Sequence, residues 1–265
     1  MIELENVKEK GNVYNMKREI ISGYIDIHSH ILAEVDDGAG SLEISLKMLD
    51  IAYKEGIRGI IATPHYHPGK SMIEYDQLLV KFKEFKEAAN SVYSDMKLYL
   101  GREVYYTSDV IEALENGTRL TIEDRQYILV EYSPRTDYNY IRMSINNIRQ
   151  AGLIPILAHV ERYECMVADI ERVEELREMG AVIQINVDSI VGHDGRRIKN
   201  YVKQLLKNRF VDVVATDAHS AGSRAPRIRE CAEYLVKRYG LEYAEDLLIY
   251  NPEKIIEGKY MEELN

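Results

Sequence analysis

The feature that most constrains this chain is an alternation, repeated seven times, of a short β-rich apolar run with a longer segment of helical period. The runs are Tyr24–His28, Arg58–Thr63, Lys97–Gly101, Tyr127–Glu131, Ile154–His159, Ala181–Asn186 and Val211–Thr216. Strands separated by whole helices pair in parallel, because only a crossover returns the chain to the same end of a sheet. Seven such units in 265 residues predict one α/β domain, built as a distorted seven-stranded β/α barrel rather than an open doubly wound sheet.

The intervening helices carry their own punctuation. Ser41 precedes a stripe of Leu42, Leu46, Leu49 and Ala52, as an N-cap should, and Gly56 closes that helix. Further helices are expected over 74–92, 107–116, 138–151, 169–179 and 196–209, with Gly117, Gly152 and Gly180 near their ends. Pro226 is expected to open another to about Tyr239, followed by short capping helices. Residues 1–23 show no apolar period and read as a peripheral extension, leaving 24–265 as a single domain.

Composition narrows the function classes. A formal net charge of −10 argues against a basic nucleic-acid-binding face. No run approaches the ~20 apolar residues of a membrane span, and the N-terminus lacks an apolar signal region, so no membrane insertion is expected. Cys165 and Cys231 cannot make a disulfide framework, which points to the cytoplasm. The excess of tyrosine over phenylalanine is read as lineage bias, with most tyrosines packing half-buried.

Chemistry collects at one edge of the expected barrel. The first strand runs into His28 and His30, the second into His65, and the third is followed by Glu103. The fourth ends in Glu131, the fifth in His159, and the seventh in Asp217 and His219. Ligands and catalytic groups gather at the C-terminal ends of parallel strands. A lone histidine there is usually structural, and a lone carboxylate is often a helix cap. Together, so many ligand-type groups on one edge would crowd one another without cations. Metal ions supply the missing positive charge.

His28 and His30 are two residues apart on an extended segment and so share a face, as do Asp217 and His219. Asp26, on the same face, is a candidate orienter of His28. Asp36-Asp37-Gly38 either adds a carboxylate or is a plain turn, and the choice between Asp36 and Asp37 stays open. His67 and His193 lie farther into loops and are not expected to be ligands.

These residues resemble the polymerase-and-histidinol-phosphatase (PHP) superfamily. Its marks are His28-Ser29-His30 with Asp36-Asp37-Gly38, then Ala62-Thr63-Pro64-His65, Ala158-His159-Val160-Glu161-Arg162-Tyr163 and Thr216-Asp217-Ala218-His219. Within it the chain looks most like the manganese-dependent tyrosine-protein phosphatases of bacterial capsule and exopolysaccharide operons. The segments from Gly101 to Asp109 and from Ile128 to Ser133 carry that closer likeness.

The resemblance implies a PHP-type distorted barrel with three metal ions, Mn²⁺ in the first place and Fe²⁺ or Zn²⁺ as substitutes. His28, His30, Glu103 and Asp217 would hold one ion, with Glu103 bridging to a second completed by Glu131 and His159. Asp37, His65 and His219 would hold the third. Arg162 and Arg224 match arginines that grip phosphate. The implied activity is hydrolysis of phosphotyrosine on a protein, a bacterial tyrosine kinase that controls polysaccharide synthesis.

Several rivals are weighed against it. A cysteine-type phosphatase needs Arg six positions after its Cys, where this chain has Glu171 and Lys237, so that class is excluded. Amidohydrolase barrels commonly place a lysine where Glu131 stands. Histidinol-phosphate phosphatase shares the superfamily motifs and stays open. A non-enzymatic regulatory binding module predicts gaps in the ligand set, and there are none. Tyr106, Tyr132 and Tyr163 are candidates to line the mouth and stack on a substrate ring.

Overall fold

A computed structural model describes residues 23–70 and 73–261. The extension expected over 1–23 therefore lies, apart from Gly23, outside the described residues. The strands are β1 (Tyr24–Ser29), β2 (Ile57–Ala62), β3 (His65–Tyr66), β4 (Lys97–Leu100), β5 (Glu103–Tyr105), β6 (Tyr127–Glu131), β7 (Ile154–Leu157), β8 (Val182–Asn186) and β9 (Val213–Ala215). They pair in the orders β1-β2-β4 and β3-β5-β6-β7-β8-β9, parallel throughout.

Two sheets arise because the second and third expected strands each break at their C-terminal end and resume as a further short strand. Pro64, which has no N–H to donate, separates β2 from β3, and Gly101-Arg102 separates β4 from β5. The chain steps across the breaks in concert: Gly101 N–H donates to Ala62 O at 2.9 Å and Glu103 N–H to Pro64 O at 3.1 Å. Gly101 suits this tight step, since a Cβ there would stand 3.0 Å from the Ile122 side chain. β2 with β3 and β4 with β5 are thus two kinked barrel staves.

The ring closes between its first and last members. Ser29 bridges Ala218 in parallel, Asp217 N–H donates to His28 O at 2.9 Å, and His30 N–H donates to Ala218 O at 2.8 Å. Inside lie Ile25, Ile27, Ile61, Tyr127, Leu129, Ile154, Ile156, Val182, Val213 and Ala215, a separate apolar cluster from the one packed between strands and helices. The helix Asn251–Glu257 plugs the N-terminal end of the barrel with Ile255 and Ile256. Following the inward period of two along β6, β8 and β9, the next residues toward the C-terminal end are Glu131, Gln184 with Asn186, and Asp217. The apolar floor carries a polar storey.

The outer helices follow the sequence closely, at Leu42–Glu55, Tyr75–Val92, Asp109–Glu115, Tyr138–Gln150, Glu171–Glu178 and Arg196–Lys207. Ser41 caps the first by accepting from Ile44 N–H, and Gly56 ends it at a φ of 100°. The helix expected from Pro226 begins instead at Arg229. The Glu55 carboxylate accepts from the amides of Ile228 and Arg229 and satisfies that helix start from outside.

Candidate metal centre

Every expected ligand reaches the same polar storey. The Nε2 atoms of His28 and His30 stand 3.3 Å apart, and lie 3.1 and 3.2 Å from the two carboxylate oxygens of Glu103. Asp217 Oδ1 is 3.6 Å from both nitrogens. His159 Nε2 lies 3.0 Å from Glu103 and 3.8 Å from Glu131. His65 joins two groups, with Nδ1 3.0 Å from Glu103 and 3.2 Å from Glu131, and Nε2 3.4 Å from Asp37. His219 Nε2 is 3.5 Å from Asp37. Glu103 touches four imidazoles and is the centre of the cluster.

Burial is graded across the site. His28, His30 and Glu103 are fully enclosed, His65 is 30 % exposed and Asp37 66 % exposed. The cluster opens on the side of Asp37 and His65. At another part of the mouth, Arg162 and Arg224 each set a guanidinium on Asp217 Oδ2, at 2.9 and 3.0 Å, with side chains about two-fifths exposed.

A layer behind the candidate ligands fixes their orientation. Gln184 Oε1 lies 3.2 Å from His28 Nδ1 and accepts from His159 N–H at 2.9 Å, so one amide oxygen sets two histidines. Gln184 donates through Nε2 to Asn186 Oδ1, and Asn186 Nδ2 donates to Asp217 Oδ2. Asp36 Oδ2 lies 2.7 Å from His30 Nδ1 and accepts from His65 N–H, while its other oxygen accepts from Gly38 N–H. Asp36 is therefore spent on orientation, and Asp37 is the carboxylate facing His65 and His219. His219 Nδ1 faces Asp217 O at 2.9 Å, which leaves Nε2 turned to the cluster.

Asp26 does not hold the His28 ring. Its carboxylate accepts from the backbone and hydroxyl of Thr216 at 2.9 and 2.5 Å and from His28 N–H at 3.4 Å. The pairing of β1 with β2 is irregular between Asp26 and Ser29, so the simple period of two breaks there. Burial pushes the Asp26 carboxyl up to about 6 against these hydrogen bonds.

The electrostatics describe a pocket short of cations. Burial alone would raise Glu103, yet His28, His159 and His30 hold its carboxyl well below the usual range. Burial likewise opposes charge on His30 and His65, but Asp36 and Glu103 push His30 up to about 9, and Glu103 and Glu131 push His65 up to about 11. Burial and the neighbouring His30 drive His219 down to about 4. Protons on imidazoles balance the carboxylates where no other cation does.

Imidazole and carboxylate donors with no thiolate fit Mn²⁺, Fe²⁺ or Zn²⁺ in an open site. The donor atoms form overlapping sets within 4.8 Å of one another: His28, His30 and Glu103; His65, Glu103 and Glu131; and His30, Asp37, His65 and His219. Two residues of this cluster hold left-handed backbone, His159 at a φ of 35° and Asp217 at 51°. Such conformations cost on the order of 1–3 kcal/mol each in residues with a Cβ and persist where the surroundings dictate them.

Gln184 and Asn186 escaped the sequence reading, although polar residues at the last two inward positions of Val182–Asn186 were a signal for them. The expected aromatic lining is corrected. Tyr106, Tyr132 and Tyr163 are at most 3 % exposed and point away from the mouth. Tyr163 OH donates to Ala158 O, and Tyr132 OH shares a 2.5 Å hydrogen bond with Ser144 Oγ, so both fasten the barrel to its surround. His193 pairs with Asp188 away from the cluster.

Comparison with known proteins places this geometry. Residues 24–257 match the family model described as capsular polysaccharide synthesis, CpsB/CapC. The chain is 36 % identical to tyrosine-protein phosphatase CpsB of Streptococcus pneumoniae, over 88 % of this chain and 98 % of that one. It is 32 % identical to tyrosine-protein phosphatase YwqE of Bacillus subtilis, over 82 % of this chain and 86 % of that one. A crystal structure from a study of YwqE and CpsB, described as metal-dependent tyrosine phosphatases, superposes with a TM-score of 0.82 at 29 % identity, covering 89 % of this chain and 96 % of the other. A histidinol phosphate phosphatase of Lactococcus lactis shares the fold at 13 % identity, with a TM-score of 0.55 over 87 % of this chain and 98 % of that one. The chain belongs to the CpsB/CapC family of capsular polysaccharide synthesis proteins.

Proposed function

We propose that this chain is a metal-dependent protein-tyrosine phosphatase whose substrate is a phosphotyrosine-bearing bacterial tyrosine kinase controlling capsule or exopolysaccharide synthesis. The observation that carries the reading is Glu103, buried among four imidazoles, with two guanidiniums converging on the adjacent Asp217. Family membership and relatives named tyrosine-protein phosphatase supply the substrate class.

His28, His30, Glu103 and Asp217 would hold one ion, Glu103, Glu131 and His159 a second, and Asp37, His65 and His219 a third, with Mn²⁺ the preferred metal. Bound divalent cations supply Lewis acidity toward a phosphoryl group and bring the pKa of water toward neutrality. Arg162 and Arg224, freed from sole duty to Asp217, offer forked donors to the phosphate's equatorial oxygens as charge builds. Gln184, Asp36 and the Asp217 carbonyl hold the imidazoles in one orientation, so the site needs little rearrangement at the moment of reaction.

Cys165 and Cys231 are free thiols, which suits a reducing cytoplasm, and no helix among the described residues is long and apolar enough to cross a membrane. The test is turnover of a phosphotyrosine peptide and of histidinol phosphate by metal-stripped protein, with and without added Mn²⁺. Peptide turnover restored by metal is expected. Turnover of histidinol phosphate alone would move the protein to small-molecule chemistry.

A further inference from the structure

Above the ligands the mouth carries an aromatic pair. His65 and Glu103 are direct neighbours in the register of β3 and β5. Two residues farther on, with the same inward parity, come His67 and Tyr105. Their rings lie 4.4 Å apart at 6°, a face-to-face stack. Both side chains are partly exposed, whereas Tyr106, on the opposite face of the same segment, is buried in the core. Tyr105 also stands in register with Glu131 on the neighbouring strand, which places it beside a carboxylate of the cluster.

This arrangement sets three functions side by side. Arg162 and Arg224 border the cluster at Asp217, on the side of the last strand. The ligands make the floor, and the Tyr105–His67 stack rises from the second and third staves. Two residues of strand advance the chain by roughly 6–7 Å. That lifts the stack one storey above the ligand atoms, the level at which a ring carried on a phosphate held by those atoms would stand. Stacking with His67 limits the rotation of Tyr105, so the wall is set before a ligand arrives.

We propose that the Tyr105–His67 stack is the platform for the substrate's aromatic ring, making Tyr105 a specificity-determining residue and His67 its buttress. The inference rests on the phosphatase reading above for its substrate, and on the register of β3, β5 and β6 for its geometry. An aryl phosphate gains a ring contact there that an alkyl phosphate or inorganic phosphate lacks.

The experiment measures binding to Mn²⁺-loaded protein by calorimetry, with benzylphosphonate, propylphosphonate and inorganic phosphate as probes, beside KM for a phosphotyrosine peptide. Wild-type protein and the variants Tyr105→Phe, Tyr105→Leu, Tyr105→Ala and His67→Ala are compared, with metal content measured for each. Tyr105→Leu and Tyr105→Ala are expected to weaken benzylphosphonate about five- to tenfold and raise KM alike, and His67→Ala to do so by a smaller factor. Tyr105→Phe should match wild type, with inorganic phosphate binding and metal content constant throughout.

Should Tyr105→Ala fail to fold, the leucine and His67 variants carry the test. Undiminished benzylphosphonate affinity in Tyr105→Leu would overturn the platform, as would a parallel loss of inorganic phosphate and metal. Failure of the two readings is separable. A wild type that turns over phosphotyrosine peptide yet does not prefer benzylphosphonate to propylphosphonate keeps the activity and loses the platform. One that prefers benzylphosphonate without any peptide turnover keeps the platform and loses the activity.

Discussion

The two ends of the barrel treat a largely enclosed carboxylate in opposite ways. Toward the N-terminal end, Asp212 meets Arg177, whose Nη2 and Nε donate at 2.7 and 3.2 Å, and also accepts from Ile183 N–H at 2.9 Å. That charge is closed within the protein by a permanent cation in forked geometry. At the C-terminal end, Glu103 is ringed by His28, His30, His65 and His159, which are cations only when protonated. One end carries a permanent counter-charge; the other carries counter-charges that depend on protonation. Since both carboxylates lie largely out of solvent, Glu103 at 1 % and Asp212 at 15 % exposure, burial alone does not tell structure from function. The permanence of the partner does.

The largest effect should come from Glu103→Gln. The amide keeps the size of the side chain and loses the charge around which the cluster is built. Activity should fall about a thousandfold or more, and bound metal measured by elemental analysis should fall with it. Thermal stability of the metal-free protein should also fall, because the imidazoles that hold the Glu103 carboxyl low lose their counter-charge. Full metal content in this variant would erase the distinction between the two ends.

Arg177→Ala is the reciprocal test. Removing the cation strands Asp212 and should destabilise the fold by about 3–5 kcal/mol in chemical denaturation. Metal content and kcat of the folded fraction should not change. A loss of metal affinity here would mean that the ends are coupled through β8, which carries both Ile183 and Gln184.

Between these extremes stands Gln184→Leu, which removes the acceptor shared by His28 Nδ1 and the amide of His159. Groups behind a metal ligand are typically worth 10–100-fold in affinity or activity, so Mn²⁺ binding should weaken by about that factor. An unchanged affinity would show that the backbone alone sets the two histidines.

Gln184 also marks the limit of what a sequence discloses. The alternation of strands and helices, the edge on which His28, His65, Glu103, Glu131, His159 and Asp217 gather, and the helix caps are local or periodic features, and they were legible. The breaks at Pro64 and Gly101 were not, because they are settled by how β2 and β4 step together across the ring. Asp36 and Asp37 are adjacent and chemically alike. Only the approach of His30 Nδ1 to Asp36 separates the orienting carboxylate from the one at the rim. The misplacement of Tyr106, Tyr132 and Tyr163 has the same origin: one residue of register decides whether a ring faces the mouth or the surrounding helices.

The smallest effect sharpens the comparison within the C-terminal half itself. Tyr163 follows the ligand-bearing turn and its hydroxyl is buried, donating to Ala158 O at 2.9 Å and accepting from Tyr132 N–H at 3.2 Å. Burial raises its hydroxyl well above the ordinary tyrosine range, so it stays neutral and acts as a hydrogen-bonding strut. Tyr163→Phe leaves the ring in place and strips both bonds. The unmet Ala158 carbonyl and Tyr132 amide should lower stability by about 1–3 kcal/mol. Because His159 is held through Gln184 and Glu103, and not through this hydroxyl, kcat/KM for a phosphotyrosine peptide should stay within about twofold of wild type. A drop in kcat at unchanged stability would reverse the assignment and return Tyr163 to the catalytic face.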